Sequence, residues 1–432
     1  MNYRVLVINP GSTSTKIAVF EGKEKLFDTT LRYSTEELAS FGWVMEQVDF
    51  RRATIEKALA DNNIDPDSLD AICARGGQVP YCAAGTYRVD QAMVDFMYTR
   101  RQGAHASNLG CVLALLLAKP LGIPAYIVDP VMVDEMDDVA RVSGLPELPR
   151  KMQGHALNCR AMAIRCADEV LHKPLADCRL IVLHLGGGSC RLFVDGRMVD
   201  CVRDDEWMFA PERFGGAAMQ DVVTLCYSGK YTESEMMGFV RGKGGLVAHL
   251  GTSNAIEVEK RIEEGDSHAK LVYDGMLYSN VRAIGALAAA ADGKIDRIIL
   301  TGGLAHSKYV AAYITKKVSF IAPVEVMAGS RRSRRAHAAC STARRRRRTS
   351  RSCWRKRERR GGKYSDRAAR RAGGCLSRRG GLRQVGARGA SGTFPRRAGE
   401  RGTLLRPRPD EAAHALARRA GAARGRGRHR PL

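Results

Sequence analysis

A turn built from Asn9-Pro10-Gly11-Ser12-Thr13-Ser14-Thr15-Lys16 gathers backbone N–H groups, side-chain hydroxyls and one ammonium around a small volume. Phosphate oxygens suit such a set of donors. The G-x-x-x-x-G-K spacing of a P-loop is absent, so taken alone the segment reads equally well as an ordinary polar hairpin turn. A second glycine-rich turn, His184-Leu185-Gly186-Gly187-Gly188-Ser189, and a strand end at Thr301-Gly302-Gly303 shift that balance. Two glycine-rich hairpins, one per half, together with a Thr-Gly-Gly edge describe a nucleotide held between two lobes.

Four more side chains carry chemistry that anions or labile protons need: Arg75, Asp129, His155 and Arg213. The planar fork of arginine pairs bidentately with carboxylate or phosphate. Each of the four also has a plain reading. Without further context Arg75 and Arg213 read first as surface or ion-paired arginines, as most arginines are. Asp129 precedes Pro130 as in many turns, and His155 stands where a helix begins.

The elements that must hold these groups are legible as runs of β-formers bounded by Gly, Pro, Ser and Asn. Val5–Ile8 leads through the first turn into Ile17–Phe20, and Leu180–Leu183 leads through the second into Leu192–Val194. The plan recurs about 175 residues on, which implies two related α/β halves facing each other. Ala71–Ala74, Ala125–Val128 and Arg297–Leu300 read as further strands, and Phe320–Val324 as strand-like; Val89–Tyr98 and Leu109–Ala118 read as helices. Arg75, Asp129 and Thr301 lie just past strand ends, the edge of an open α/β sheet where ligands bind.

The net charge of +24 suggests nucleic-acid binding until the chain is divided. Residues 331–432 hold 34 Lys and Arg against 5 Asp and Glu, whereas residues 1–330 hold 36 against 41. The basicity belongs to the tail. That tail is rich in Arg, Gly and Ala without hydrophobic periodicity, so disorder is expected. Its abrupt change of composition points to a shift of reading frame in a GC-rich gene; a genuine basic arm is the alternative. Nine of the twelve cysteines are scattered through residues 1–330 with no C-x-x-C pair, as expected of buried thiols in a reducing compartment. The longest apolar run, Cys111–Ala118, is far short of the roughly 20 residues that span a bilayer. A soluble, cytoplasmic protein is expected.

The segments NPGSTSTK, ARGG, HASNLG, YIVDPVMVDEMDDVARVSGLPELPRK, HALN, HLGGG, PER-x-GG and ILTGGLA occur in the order they take in butyrate kinases. Over nearly all of residues 1–330 the chain resembles that group, in the acetokinase branch of the actin/hexokinase/Hsp70 superfamily. The resemblance implies an α/β fold of two related actin-like ATPase (ribonuclease H-like) lobes around a nucleotide cleft, at 1–150 and 151–330, with 331–432 as a non-family tail. It implies ATP/ADP and Mg²⁺ as cofactors, butyrate or a related short or branched-chain carboxylate as substrate, and at least a homodimer. Direct in-line transfer would be carried by Arg75 and Arg213 on the carboxylate and phosphoryl group, and by His155 donating to the moving phosphoryl oxygens. Asp129 would hold Mg²⁺ or orient the attacking carboxylate. Asn9, Ser12, Ser14 and Lys16, with Gly186, Gly187 and Gly188, would surround the phosphates; Gly302 and Gly303 would lie beside the adenosine. His105 would line the substrate pocket, while Met132, Met136 and Met152 read as core.

The chain also departs from that pattern. Where the family resembles D-G-E-G-P-F-S-P-E-R, this sequence has Asp204-Asp205-Glu206-Trp207-Met208-Phe209-Ala210-Pro211-Glu212-Arg213, so two glycines and a proline are replaced beside the expected site. The run after HLGGG is one residue shorter, and the tail lacks the family's glutamate near the metal and its returning helix. Two other readings follow: a catalytically impaired ATP-binding member of the same fold, and a protein that binds nucleic acid non-specifically through its tail.

Overall fold

The apolar runs assemble into two separate sheets. In this computed structural model residues 2–99 and 105–328 are described; the Arg-rich tail lies outside them. Strands β1 (Arg4–Pro10), β2 (Ser14–Glu21), β3 (Glu24–Arg32), β4 (Ala71–Arg75), β5 (Thr86–Arg88) and β6 (Ala125–Val128) form the first sheet, in the order β3-β2-β1-β4-β6-β5. Strands β7 (Leu180–Leu185), β8 (Ser189–Val194), β9 (Arg197–Arg203), β10 (Arg297–Gly302) and β11 (Val324–Val326) form the second, in the order β11-β10-β7-β8-β9.

Both sheets begin with an antiparallel meander of three strands whose first member continues into a parallel neighbour. Each meander also slips register once, between Val19 and Phe20 in the first and between Leu192 and Phe193 in the second. Matching irregularities at matching places support the repeated plan inferred from the two hairpins. Extending β1 to Pro10 and starting β2 at Ser14 confines the first turn to three residues, with Asn9 opposite Lys16.

Central strands covered on both faces read as unbroken apolar runs, and β4 and β6 obey this: Ala71–Ala74 and Ala125–Val128 are all buried. Helices α1 (Val48–Asp61), α2 (Gln91–Thr99) and α3 (Leu109–Ala118) pack on this sheet. Ile55, Ile72, Leu113 and Ile127 have no exposure, and burying each contributes on the order of 2 kcal/mol. The helix expected from Val89 starts instead at Gln91, because the Asp90 carboxylate accepts from the Met93 N–H at 3.0 Å and so caps it. Gly110 of α3 lies where a Cβ would sit 2.2 Å from the carbonyl oxygen of Arg75, so only glycine lets the helix approach the strand end this closely.

In the second half α4 (Ala156–Cys166) packs on one face of the sheet and α5 (Ser267–Ala290) with α6 (Lys308–Val318) on the other. Met136 and Met152 are buried against α4 and β7, and Met132 against the first sheet, in agreement with their reading as core. The strand-like reading of Phe320–Val324 is corrected: α6 exits through a turn at Ile321, Phe320 is exposed, and the strand starts only after Pro323. Proline lacks the N–H that a ladder requires. The nine cysteines of this region are all free thiols and seven are buried. Among the described residues no helix is long and apolar enough to cross a membrane.

Candidate active site

At the first turn the Gly11 N–H donates to the Ser14 carbonyl at 2.7 Å, closing a tight loop that leaves Ser12, Thr13 and Lys16 exposed. Asn9, one strand residue earlier, carries a buried Oδ1 without a hydrogen-bond partner among the described residues. An orphaned buried amide at the base of a donor-rich turn is the kind of group that a bound ligand satisfies.

Two strands deliver the next groups. Arg75 is the last residue of β4, and the following glycines are obligatory: a Cβ on Gly76 would lie 2.5 Å from Pro130 and one on Gly77 2.6 Å from the backbone of Asn108. Asn108 locks this loop, its Oδ1 accepting from the Gln78 N–H at 2.8 Å and its amide donating to Gln78 Oε1 at 3.1 Å. Asp129 follows β6 with φ of 39°, a left-handed conformation that Asp tolerates better than most residues. It is 2% exposed, and its Oδ1 accepts from the Gly85 N–H at 2.9 Å.

From the second half, His155 stands at the N-cap position of α4, makes no side-chain capping bond, and lies flat on the second turn. Its ring stacks on His184 with centroids 4.0 Å apart and planes 14° from parallel. A Cβ on Gly187 would be 2.4 Å from both Cε1 and Nε2 of His155, so this glycine is what lets the ring rest on the turn. Nδ1 of His155 is 3.2 Å from Ser189 Oγ. Beneath, Asn158 Oδ1 accepts from His184 Nδ1 at 2.7 Å and from the Thr301 hydroxyl at 3.3 Å. Gly186 and Gly188 have φ of 100° and 67°. Gly302, at φ 95°, abuts Leu185 so closely that a Cβ would be 2.1 Å from the Leu185 carbonyl oxygen, while Gly303 faces open space.

Arg75, Asp129, Val131, Gly154, His155, Leu157 and Asn158 line one cleft. Three of the four side chains expected to carry chemistry therefore converge from both halves. Arg213 stands outside this lining set: its Nε donates to Asp204 at 3.1 Å and its Nη1 to the Glu212 carbonyl at 3.1 Å. Burial raises the pKa of Asp204, against the pull of Arg241, Arg213 and Arg203. Asp205, one of the residues in place of a family glycine, pairs with Arg203, and with Arg241 at 3.7 Å.

His105 feels the charge of three arginines. It is absent from the residues that line the cleft, and its pKa falls to about 4 through partial burial and the charges of Arg75, Arg241 and Arg213. Nδ1 accepts from the Ser107 N–H at 3.1 Å, so the neutral ring carries its proton on Nε2. Asn158, Ser189, His184, Asn108 and Arg241 have no role of their own in the sequence reading, although all but Arg241 stand inside the motifs quoted there. Asn158 was the most accessible, since it lies three positions after His155 and hence on the same helix face.

Residues 160–322 match the acetokinase family. Butyrate kinase 2 of Clostridium acetobutylicum is 47% identical over 332 residues, 76% of this chain and 93% of that relative. Butyrate kinase 1 of the same organism is 44% identical over 325 residues, 74% and 91% of the two chains. Among solved structures, acetate kinase from Porphyromonas gingivalis superposes with a TM-score of 0.61 at 20% identity, covering 74% of this chain and 88% of that one. A propionate kinase from Francisella tularensis gives 0.59 at 16%, covering 74% and 88%. These two show the fold.

Proposed function

This chain belongs to the acetokinase family, and on that footing we propose that it transfers the terminal phosphoryl group of ATP, reversibly, to butyrate or a related short or branched-chain carboxylate. The observation that carries this reading is the cleft in which Arg75 and Asp129, from two strand ends of the first sheet, meet His155 and Asn158 from α4. Phosphoryl transfer asks little covalent help from the protein, so position and charge supply most of the catalysis. A carboxylate oxygen attacks the γ-phosphorus while the bond to the bridging oxygen breaks, and ADP leaves with that electron pair.

Arg75 pairs its fork with the incoming carboxylate or the phosphoryl oxygens. His155, held by His184 and Ser189, donates to the moving phosphoryl oxygens. Arg213 offers Nη2, since Asp204 and the Glu212 carbonyl occupy its other nitrogens. The first turn, with Asn9, Ser12, Ser14 and Lys16, and the second, Gly186–Gly188, enclose the phosphates; Gly302 and Gly303 border the adenosine. Among the described residues no cluster of three His, Cys, Asp or Glu forms a metal cage. Magnesium is usually held by one or two carboxylates with phosphates and water, and the single carboxylate lining the cleft, Asp129, fits that mode. When bound, the ion neutralises charge on the phosphates. The reading also includes a cytoplasmic location and self-association, and the relatives favour neither a silent scaffold nor a nucleic-acid binder.

The test is to incubate the full chain with ATP, Mg²⁺ and butyrate and to trap acyl phosphate with hydroxylamine. Hydroxamate formed in step with ADP is expected. A folded protein that yields none overturns the reading.

A further inference from the structure

Behind the first turn lies a guanidinium with no solvent exposure, that of Arg51 on α1. Its Nε and Nη2 donate to Gln47 Oε1 at 3.0 and 2.7 Å. Nη1 donates to the Gly11 carbonyl at 2.8 Å, to the Ser14 carbonyl at 3.3 Å and to Thr15 Oγ1 at 3.1 Å, and Nη2 reaches the Ser12 carbonyl at 2.9 Å. The ring of Tyr33 covers it, with its centroid 4.6 Å from Cζ. Every one of these partners is a neutral group. Among the described residues no carboxylate pairs with Arg51, so its charge is hydrogen-bonded but not cancelled.

Burying a charge this way is costly unless hydrogen bonds and a nearby opposite charge offset it. The hydrogen bonds are present, and the opposite charge is absent from the described residues around it. Peptide geometry indicates where that charge belongs. In a trans peptide the carbonyl of one residue and the N–H of the next point to opposite sides. Because Arg51 draws the Gly11 and Ser12 carbonyls inward, the N–H groups of Ser12 and Thr13 face outward, beside the exposed Ser12 and Lys16. Successive N–H groups presented together make an anion-binding concavity.

We propose that Arg51 is a positioning residue for the phosphate end of the nucleotide: it fixes the turn so that two backbone N–H groups converge on phosphate oxygens, and it places an uncancelled positive charge behind them. The inference rests on the reading of residues 9–16 as the phosphate turn. Arg51 itself touches no substrate. Lysine cannot replace it, because a single ammonium cannot hold the Gly11 and Ser12 carbonyls and Gln47 at once.

The experiment compares wild-type full chain with Arg51→Met, Arg51→Lys and Gln47→Met, measuring binding of ADP and of adenosine by calorimetry and the KM of butyrate. Adenosine carries no phosphate, so a variant whose fold has simply loosened weakens both ligands, whereas the proposed role weakens only ADP. Arg51→Met should raise the ADP Kd by about 10- to 100-fold, with adenosine binding and butyrate KM within about threefold. Arg51→Lys should fall between Arg51→Met and wild type. Gln47→Met, which keeps the charge but frees Nε, should raise the ADP Kd a few-fold and remains informative if the Arg51 variants do not fold. Wild-type ADP affinity in folded Arg51→Met, or in Gln47→Met when Arg51→Met does not fold, overturns the inference, as does equal loss of adenosine. If wild type binds ADP in an Arg51-dependent way yet forms no acyl phosphate, the carboxylate reading fails and the role of Arg51 stands.

Discussion

Replacing Gly187 by alanine tests whether the second turn acts through His155. The added Cβ would sit 2.4 Å from Cε1 and Nε2 of the ring, whereas ordinary contacts between such atoms begin at about 3.5 Å. The ring must therefore withdraw by about 1 Å. No other atom but His155 Nδ1, at 3.5 Å, is among the nearest neighbours of that Cβ, and the backbone of Gly187 is not in the left-handed region, so the strain falls on one side chain rather than on the sheet. A misplacement of this size costs about 100-fold in rate, equivalent to about 2.7 kcal/mol of transition-state stabilisation. The assay is kcat at saturating ATP and butyrate, with the thermal midpoint measured alongside. Gly187→Ala should lose activity while unfolding within a few degrees of wild type. His155→Ala should lose at least as much, and adding Gly187→Ala to it should cost nothing further. A kcat within threefold of wild type refutes the reasoning, as does a double variant in which the two losses multiply.

Two further consequences concern charges. Arg191 on β8 is fully buried; among the described residues Nη2 reaches only the Gln153 carbonyl at 3.0 Å, Nη1 only Met198 Sδ at 3.7 Å, and Nε has no partner. Arg191→Met should therefore stabilise the fold by about 1–2 kcal/mol in urea denaturation, and a clear loss of stability would show that the cation is needed. His105 titrates at about 4 when folded against 6.5 ordinarily. The unfolded chain thus binds the proton more tightly, so the folded state loses stability as pH falls from 6.5 toward 4 and is unaffected above that window. His105→Gln should make the decline between about pH 7 and 4.5 shallower; parallel declines for both proteins would show that His105 does not titrate as described.

The sequence carried the local and periodic information. Runs of β-formers around Gly, Pro and Ser are read from neighbours a few positions apart, so β1–β2, β7–β8, the apolar Ala71–Ala74 of β4 and the apolar β6 were legible, as was the recurrence of one hairpin plan. Ordered motifs located Arg75, Asp129 and His155, and the cleft brings those three together. Caps and exits were less legible. Asp90 shortened a helix, and no spacing rule reveals how the chain leaves α6, where it turns at Ile321 before Pro323.

Tertiary packing decided the rest, because it pairs groups whose separation along the chain has no period. Arg51 reads as one more charged residue in a weakly patterned helix until folding sets it 2.8 Å from the carbonyl of Gly11, 40 positions away. Gly187 is one glycine of three until His155, from another element, comes to lie on it. Arg213 has the chemistry of a phosphate ligand in any sequence reading, but only the fold shows Asp204 holding its Nε. Residue type and spacing set which chemistry is available to the chain; the close approach of backbones from distant segments sets which groups meet, since steric fit and desolvation act on atoms in contact whatever their order in the sequence.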